Sequence, residues 1–201
     1  MIEVREIRMA LIKNQPTVVS ASRNKQAAVA LIVNINSGCS RRDPEIVFIE
    51  RAFRAGDPWS GQMAFPGGRR TREDQNLSET ACRETQEEVG VDLSSAKKLG
   101  RLDDLTGRHS GQFKEMVISC FVFLTHGIDG FFPNREVADV ITSPLSSLLD
   151  PNHQTRVAAW TKTDKLFPGI RLDRGERIIW GLTYRFLLRF FSLFGYYLPQ
   201  D

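Results

Sequence analysis

Cysteine is scarce in this sequence. Cys39, Cys82 and Cys120 are the three in 201 residues, an odd number set far apart with no paired metal-ligand spacing, so neither a disulfide framework nor a thiolate zinc site is expected. An excess of one charge is also lacking: the net charge is +3 with acids and bases interspersed, which gives no reason to expect a nucleic-acid partner but leaves small anionic substrates open. No apolar run approaches the roughly 20 residues that a membrane span requires. The most apolar stretch, TYRFLLRFFSLFGYYL, is interrupted by Arg185 and Arg189 and reads as a closing helix, buried on the domain or between two copies of the chain, with an interfacial membrane contact, as in a membrane-docked scaffold, as the alternative reading. The N-terminus, MIEVREIRMALIKNQP, places Glu3 and Glu6 where a signal peptide would be apolar, so a cytoplasmic location is expected. Internal repeats and a domain linker are missing as well. The composition, 41% hydrophobic and 25% charged, is that of a globular protein of mixed α and β class, expected to form one domain over residues 1–201.

Hydrophobic periodicity divides the chain. Met1 to Lys13 carries apolar residues at helical spacing and is followed by a polar linker to about residue 25. AAVALIVNI, from Ala27 to Ile35, and EIVFIERA, from Glu45 to Ala52, have the length and β-branched content of strands that pair as a hairpin. GDPWSGQMAFPGG reads as loop with a short strand at Gln62 to Phe65. A helical pattern runs from Leu77 to Val89 and stops at Gly90, a C-cap residue. Further strands are expected at Lys98–Leu105, Met116–Leu124 and Val137–Thr142; Arg156–Trp160 and Gly169–Leu172 are expected to pair, and a helix is expected over Ile178–Leu198.

The stretch FPGGRRTREDQNLSETACRETQEEVGV is the unusual one. Glu84, Glu87 and Glu88 fall on one arc of the helix near its C-terminal end, while Ser78, Cys82, Thr85 and Val89 form a small-residue stripe suited to packing on a sheet. Like charges three and four apart cost roughly 0.2 to 0.5 kcal/mol per pair, and the helix dipole adds a penalty of similar size. A hard divalent cation reverses the sign of that balance, because it seeks several oxygen ligands at once. Isolated acidic clusters are usually solvated faces. This one contains Arg83 and follows Gly67 and Gly68, whose backbone can approach an ion or a phosphate.

PGG followed by a helix containing RETQEEVGV resembles the Nudix box, in which a glycine, five residues, a glutamate and seven residues precede Arg-Glu-apolar-any-Glu-Glu-any-Gly-apolar. Arg83, Glu84, Glu87, Glu88, Gly90 and Val91 match position by position, and Thr85 replaces the apolar residue. Counting back from Arg83 places Gln75 and Arg69 at the early acid and glycine. A loop one residue longer restores Gly68 as the glycine and Asp74 as the acid. That loop, GQ before FPGG, and the segments LGRLDDLTG, REVADVITSPLSSLL and IIWGLTYRFL are similar to the coenzyme A pyrophosphatase branch of the family. In its upstream signature, Asp57 and Trp59 stand where Arg and His are expected.

The resemblance implies an α+β fold, a mixed sheet between helices that carries the loop-helix-loop of the box. It implies Mg2+ or Mn2+ held by Glu84, Glu88, Glu87 and the Gly68 carbonyl, with Arg83 orienting the carboxylates and Glu87 as a ligand or activator of water. The implied reaction is hydrolysis of a phosphoanhydride in a small nucleoside diphosphate derivative, with coenzyme A or its acyl esters first and ADP-ribose, NADH or nucleotide sugars as alternatives. A noncatalytic nucleotide sensor is a further reading, disfavoured because binding alone does not require all three carboxylates. Glu136 and Glu115 are the candidate bases outside the box. Arg51, Arg54, Arg69 and Arg70 flank the PGG loop and are candidates to grip phosphates, with Phe65 as a substrate contact. Phe53 and Trp59 are suited to stacking on a base, His109 could border the site from its loop, and Cys82 reads as core. A homodimer is compatible with the apolar C-terminal segment.

Overall fold

A strand that is apolar at almost every position must be covered on both faces, and Gln26–Ile35 (β1) is such a strand. The computed structural model describes residues 2–35, 43–57, 59–108, 115–158, 166–172 and 177–200. In it, β1 runs through the middle of a mixed sheet. One edge of β1 pairs in parallel along its whole length with Glu115–His126 (β7). The other edge is shared: Gly67–Arg69 (β4) pairs antiparallel with Ala27 to Val29, and Glu45–Arg51 (β2) pairs antiparallel at Val33 and Asn34. Met63–Ala64 (β3) and Val137–Pro144 (β8) add to β2, and Lys97–Arg101 (β5) and Leu105–Arg108 (β6) both add to β7. This is the expected mixed sheet between helices.

Side-chain alternation assigns the faces. Leu31 and Val33 of β1, with Cys120 and Val122 of β7, face a core completed by Val4–Lys13 (α1) and Gly181–Ser192 (α4). Ala28, Ala30 and Ile32, with Phe121 and Phe123, face the helix Leu77–Val89 (α2). The alanines let α2 lie close to the sheet. A second sheet of Gln154–Ala158 (β9), Leu166–Leu172 (β10) and Arg177–Trp180 (β11) adds Ile170, Leu172 and Ile179 to the α1/α4 core. A short helix, Leu145–Leu149 (α3), follows β8.

Three expectations change, and the pairing expected late in the chain is met. The expected strand Lys98–Leu105 is two strands, because Leu102 to Asp104 leave the ladder and Asp104 turns its carboxylate to Val19 N–H, Ser119 Oγ and the Arg101 guanidinium. The expected helix Ile178–Leu198 begins as β11, since Ile178 and Ile179 extend against Arg171 and Ile170; the helix proper is Gly181–Ser192. PGG is not free loop, because Gly67 and Gly68 are strand residues in β4. The paired strands late in the chain are β9 and β10, joined from Gln154↔Ile170 to Ala158↔Leu166. Residues 36–42 of the β1/β2 connection and Trp160 lie outside the described residues.

The apolar C-terminal segment is core. Tyr184, Phe186, Leu187, Phe190 and Phe191 of α4 are buried, and Phe190 meets Phe191 and Phe194 edge-on at 5.5 and 5.1 Å between centroids. Among the described residues no helix is long and apolar enough to cross a membrane. Replacing Phe190, which has no exposed surface, removes a full aromatic ring from that packing. F190A is expected to destabilise the protein by about 3 to 5 kcal/mol, measured as a lowered urea midpoint with an unchanged slope.

Candidate functional site

The helix α2 is bounded by its own sequence. The Asn76 side chain accepts from Glu79 N–H at 3.1 Å, Glu79 returns a carboxylate oxygen to Gln75 N–H at 2.8 Å, and Gly90 closes the helix in the left-handed conformation at φ 73°. The row laid on the sheet is Ala81, Thr85 and Glu88, with Val89 beside it; Ser78 and Cys82 of the expected small stripe are only half-buried. The helix is therefore rotated toward its acids. The three carboxylates grade from exposed to buried: the Glu87 side chain keeps 55% of its surface, Glu84 17%, and Glu88 as a residue 4%.

Burial of a carboxylate demands a partner, and backbone supplies it. Gly67 N–H donates to Glu88 Oε2 at 2.8 Å. Next to it, a Cβ on Gly68 would lie 2.4 Å from Glu84 Cδ, so only glycine lets Glu84 approach this backbone. Gly67 is held equally tightly from the other side: at φ 153° its missing Cβ would meet Ala28 O at 2.3 Å. The pairing of β4 on β1 thus brings two glycines edge-on between strand and helix, with Glu84 and Glu88 against them. Burial pushes the Glu88 carboxyl up to about 7, the Gly67 N–H opposing and the neighbouring Glu84 reinforcing that shift. Burial raises Glu84 as well, against the pull of Arg83.

Arg83 is the hub. Its Nε and Nη2 form a bidentate pair with Asp74 at 2.9 and 3.1 Å, Nη2 also reaches Glu84 Oε1 at 2.9 Å and the Arg69 carbonyl at 3.1 Å, and Nη1 reaches both oxygens of Glu87 at 3.2 Å. Asp74 is buried and also accepts from Thr71 N–H at 2.8 Å and Thr80 Oγ1 at 3.0 Å. The Arg83 guanidinium holds the Asp74 carboxyl well below the usual range, and Asp74 in turn raises Arg83. Among the described residues no three His, Cys, Asp or Glu side chains form a ready-made metal cluster. Glu87 is instead paired through both oxygens with Arg83.

A second group closes the site from the strand side. Asn134 N–H and Phe132 N–H cap the Glu88 and Val89 carbonyls at 2.9 Å, and Asn134 Oδ1 accepts Glu136 N–H at 2.7 Å. Glu136 is thereby fixed beside the helix end, close enough to act electrostatically on Glu88. Its carboxylate pairs with Arg54 at 2.8 Å. Arg51 also acts on Glu88, pairs with Asp57 at 3.0 Å, and keeps a buried Nε with no hydrogen-bond partner.

The structure therefore brings together Arg83, Glu84, Glu87, Glu88 and the Gly67–Gly68 backbone, with Arg51, Arg54 and Glu136 at the border. It does not bring Phe65, whose ring is buried and stacked on Phe48 at 5.4 Å between centroids; strand alternation turns it into the core. Arg69 contributes its carbonyl while its side chain is exposed. Arg70 points away, to the carbonyls of Asp74 and Gln75. Cys82 is half-buried, and burial raises its thiol. Phe53 is 84% exposed and Trp59 half-buried. His109 and the side chain of Glu115 lie outside the described residues. Sequence reasoning missed Thr71 and Thr80, whose polar atoms hold Asp74; neither carries a local signal beyond being a hydroxyl residue near an acid.

Comparison with known proteins adds an independent line. Residues 25–175 match the family model described as the NUDIX domain. The chain is 41% identical over 118 residues to the Schizosaccharomyces pombe protein C14C4.10c, covering 57% of this chain and 36% of that protein. It is 30% identical over 181 residues to the probable nudix hydrolase C6G9.05 of the same yeast, 86% of this chain and 58% of that one. It is also 30% identical over 129 residues to the Nudix hydrolase NudL of Yersinia pestis, 64% of this chain and 60% of that one. The chain thus spans between 36% and 60% of the length of these curated relatives. The crystal structure of a MutT/nudix family protein from Enterococcus faecalis shares the fold, with a TM-score of 0.53 at 14% identity over 95% of this chain and 69% of that one.

The Glu88 carboxyl titrates at about 7 in the folded chain against 4.5 ordinarily, so between those values the folded chain keeps a proton that the unfolded chain has released. Stability present below pH 4.5 is expected to be lost as pH rises through 7, by about 3 kcal/mol. Urea titrations in chelator should show this decline in the wild type and its absence in Glu88→Gln.

Proposed function

Because this chain belongs to the Nudix family, we propose that it is a metal-dependent pyrophosphohydrolase and that Glu84, Glu87, Glu88 and the Gly68 carbonyl form its metal site. The observation that carries this reading is the convergence of Glu84 and Glu88 on the Gly67–Gly68 backbone, two acids packed where a Cβ would not fit. Two carboxylates side by side, Glu88 buried and Glu84 partly so, favour a proton or a cation between them, and hard divalent ions suit an all-oxygen donor set. Mg2+ or Mn2+ bound there would neutralise phosphate oxygens and lower the pKa of an attached water. Arg83 keeps Glu84 in place through the 2.9 Å contact and holds Glu87 at the mouth, from which Glu87 can turn inward as a ligand or accept a proton from water. Glu136 is the candidate base outside the helix, its carboxylate parked on Arg54 until a substrate phosphate competes for that guanidinium. Arg51 and Arg54 are the phosphate-binding candidates, and the unpartnered Nε of Arg51 supports that role.

For the substrate, a nucleoside diphosphate derivative fits the family and the arginines at the border; coenzyme A or an acyl ester is the first choice by resemblance of the loop and the segments after the helix. A second reading is favoured by Asp57. Its carboxylate sits on Arg51 and accepts Trp59 N–H at 3.0 Å, which leaves less positive charge at the border for the phosphate that coenzyme A carries beyond its diphosphate. ADP-ribose, NADH or a nucleotide sugar, with no extra phosphate, would tolerate it better.

A mass-spectrometric screen of pyrophosphate-containing metabolites with Mg2+ or Mn2+ distinguishes the readings. Wild-type protein is expected to split coenzyme A into an adenosine bisphosphate and phosphopantetheine, and Glu88→Gln to lose about a hundredfold or more of that rate. Turnover of ADP-ribose alone selects the second reading, and turnover that survives chelator overturns both.

A further inference from the structure

The segment between β4 and α2 turns its carbonyl oxygens inward, onto arginines. Arg23 Nη1 donates to the carbonyls of Thr71 at 3.2 Å, Arg72 at 2.9 Å and Asp74 at 3.2 Å. Arg70 Nη2 donates to the carbonyls of Asp74 at 3.3 Å and Gln75 at 2.6 Å, while Arg70 Nη1 donates to Gln26 Oε1 at 2.9 Å. Gln26 is anchored in turn: its carbonyl accepts Arg70 N–H at 3.0 Å and its amide donates to the Ala21 carbonyl at 3.0 Å. Two guanidinium groups thus fasten residues 71–75 to the start of β1 and to the segment before it. Arg23 lies outside the span that matches the family model, so nothing about the family's helix motif assigns it a part.

What the clamp holds is Asp74. The Asp74 backbone is gripped by both arginines, while its side chain accepts from Thr71, Thr80 and Arg83. Arg83 then carries Glu84 and Glu87. We propose that Arg70 and Arg23 are positioning residues for the carboxylate array: they fix the 71–75 loop, the loop fixes Asp74 against Arg83, and Arg83 sets Glu84 and Glu87. This rests on the reading of those carboxylates as a metal site. The role differs from gripping substrate phosphate, the use suggested by the position of Arg70 beside PGG. A guanidinium fork that spans an amide oxygen on one strand and carbonyls on a loop has a shape requirement that a single ammonium does not meet.

The test uses full-length wild type, R70A, R70K and R23A, with two readouts. The first is amide hydrogen exchange at Thr71, whose N–H donates to Asp74, in metal-free protein. The second is Mn2+ titration. Thr71 exchange is expected to quicken about tenfold in R70A, and Mn2+ binding to weaken about tenfold, as for other groups that orient ligands without touching the ion. R23A, more exposed, should shift both in the same direction by less. R70K should resemble R70A, and R70A placed on D74N should weaken Mn2+ binding no further than D74N alone. Unchanged Thr71 exchange in R70A and R23A overturns the proposal. So does R70K with wild-type-like Thr71 exchange and Mn2+ binding beside an altered R70A, since a single ammonium would then meet the requirement. If R70A does not fold, the exposed R23A decides through the same two readouts. If wild-type protein binds no Mn2+, the metal reading fails, while Thr71 exchange still tests the clamp.

Discussion

The site depends on one ion pair, Arg83 with Asp74. Without it, a helix end carrying three carboxylates would be repelled by its own dipole and by its own neighbours. With it, a guanidinium tied down by a buried acid faces those carboxylates, and two of them settle on it. Asp74 is the fixed end of this arrangement, since it is buried and receives donors from a backbone amide, a threonine and an arginine. The exposed end is Glu87, at the surface. The array thus grades from a buried acid through Arg83 to a surface acid, with the guanidinium shared among all three carboxylates it touches.

Burial of Glu88 is the other half of the design and comes from the sheet. Because β4 and β2 share one edge of β1, the strand can present Ala28 and Ala30 to the helix and hold two glycines at its flank. Small residues on all three elements shorten the distance between backbone and helix. A carboxylate at that spot is shut away from water, which makes its charge costly, and the single Gly67 N–H offsets only part of that cost.

Much of this was legible in the sequence, for local reasons. The end of the helix Leu77–Val89 could be fixed to the residue because Gly90 is a capping residue with its own signal. Asp74 could be found by allowing the loop one extra residue. Other features depend on partners remote in the chain. Gly67 and Gly68 look like a turn until Ala28 is seen beside them, Ile178 and Ile179 look helical until Ile170 and Arg171 pair with them. Phe65 sits next to the glycines in sequence yet follows the strand's alternation into the core. The arginine contacts on the 71–75 loop had no signal at all, since Arg23 and its acceptors are separated by about fifty residues, and no periodicity reports such a meeting.

The parallel ladder between β1 and β7 has a consequence for how the protein is made. Ala27 and Ile118 are partners across a separation of roughly ninety residues, so this pairing closes a long loop and forms late. On the ribosome β1, β4 and the acidic helix all emerge before β7 does, so Phe121 and Phe123 are added later to the face on which the helix packs. Vectorial synthesis therefore leaves the long edge of β1 that β7 will occupy unpaired for the time it takes to translate the intervening segment.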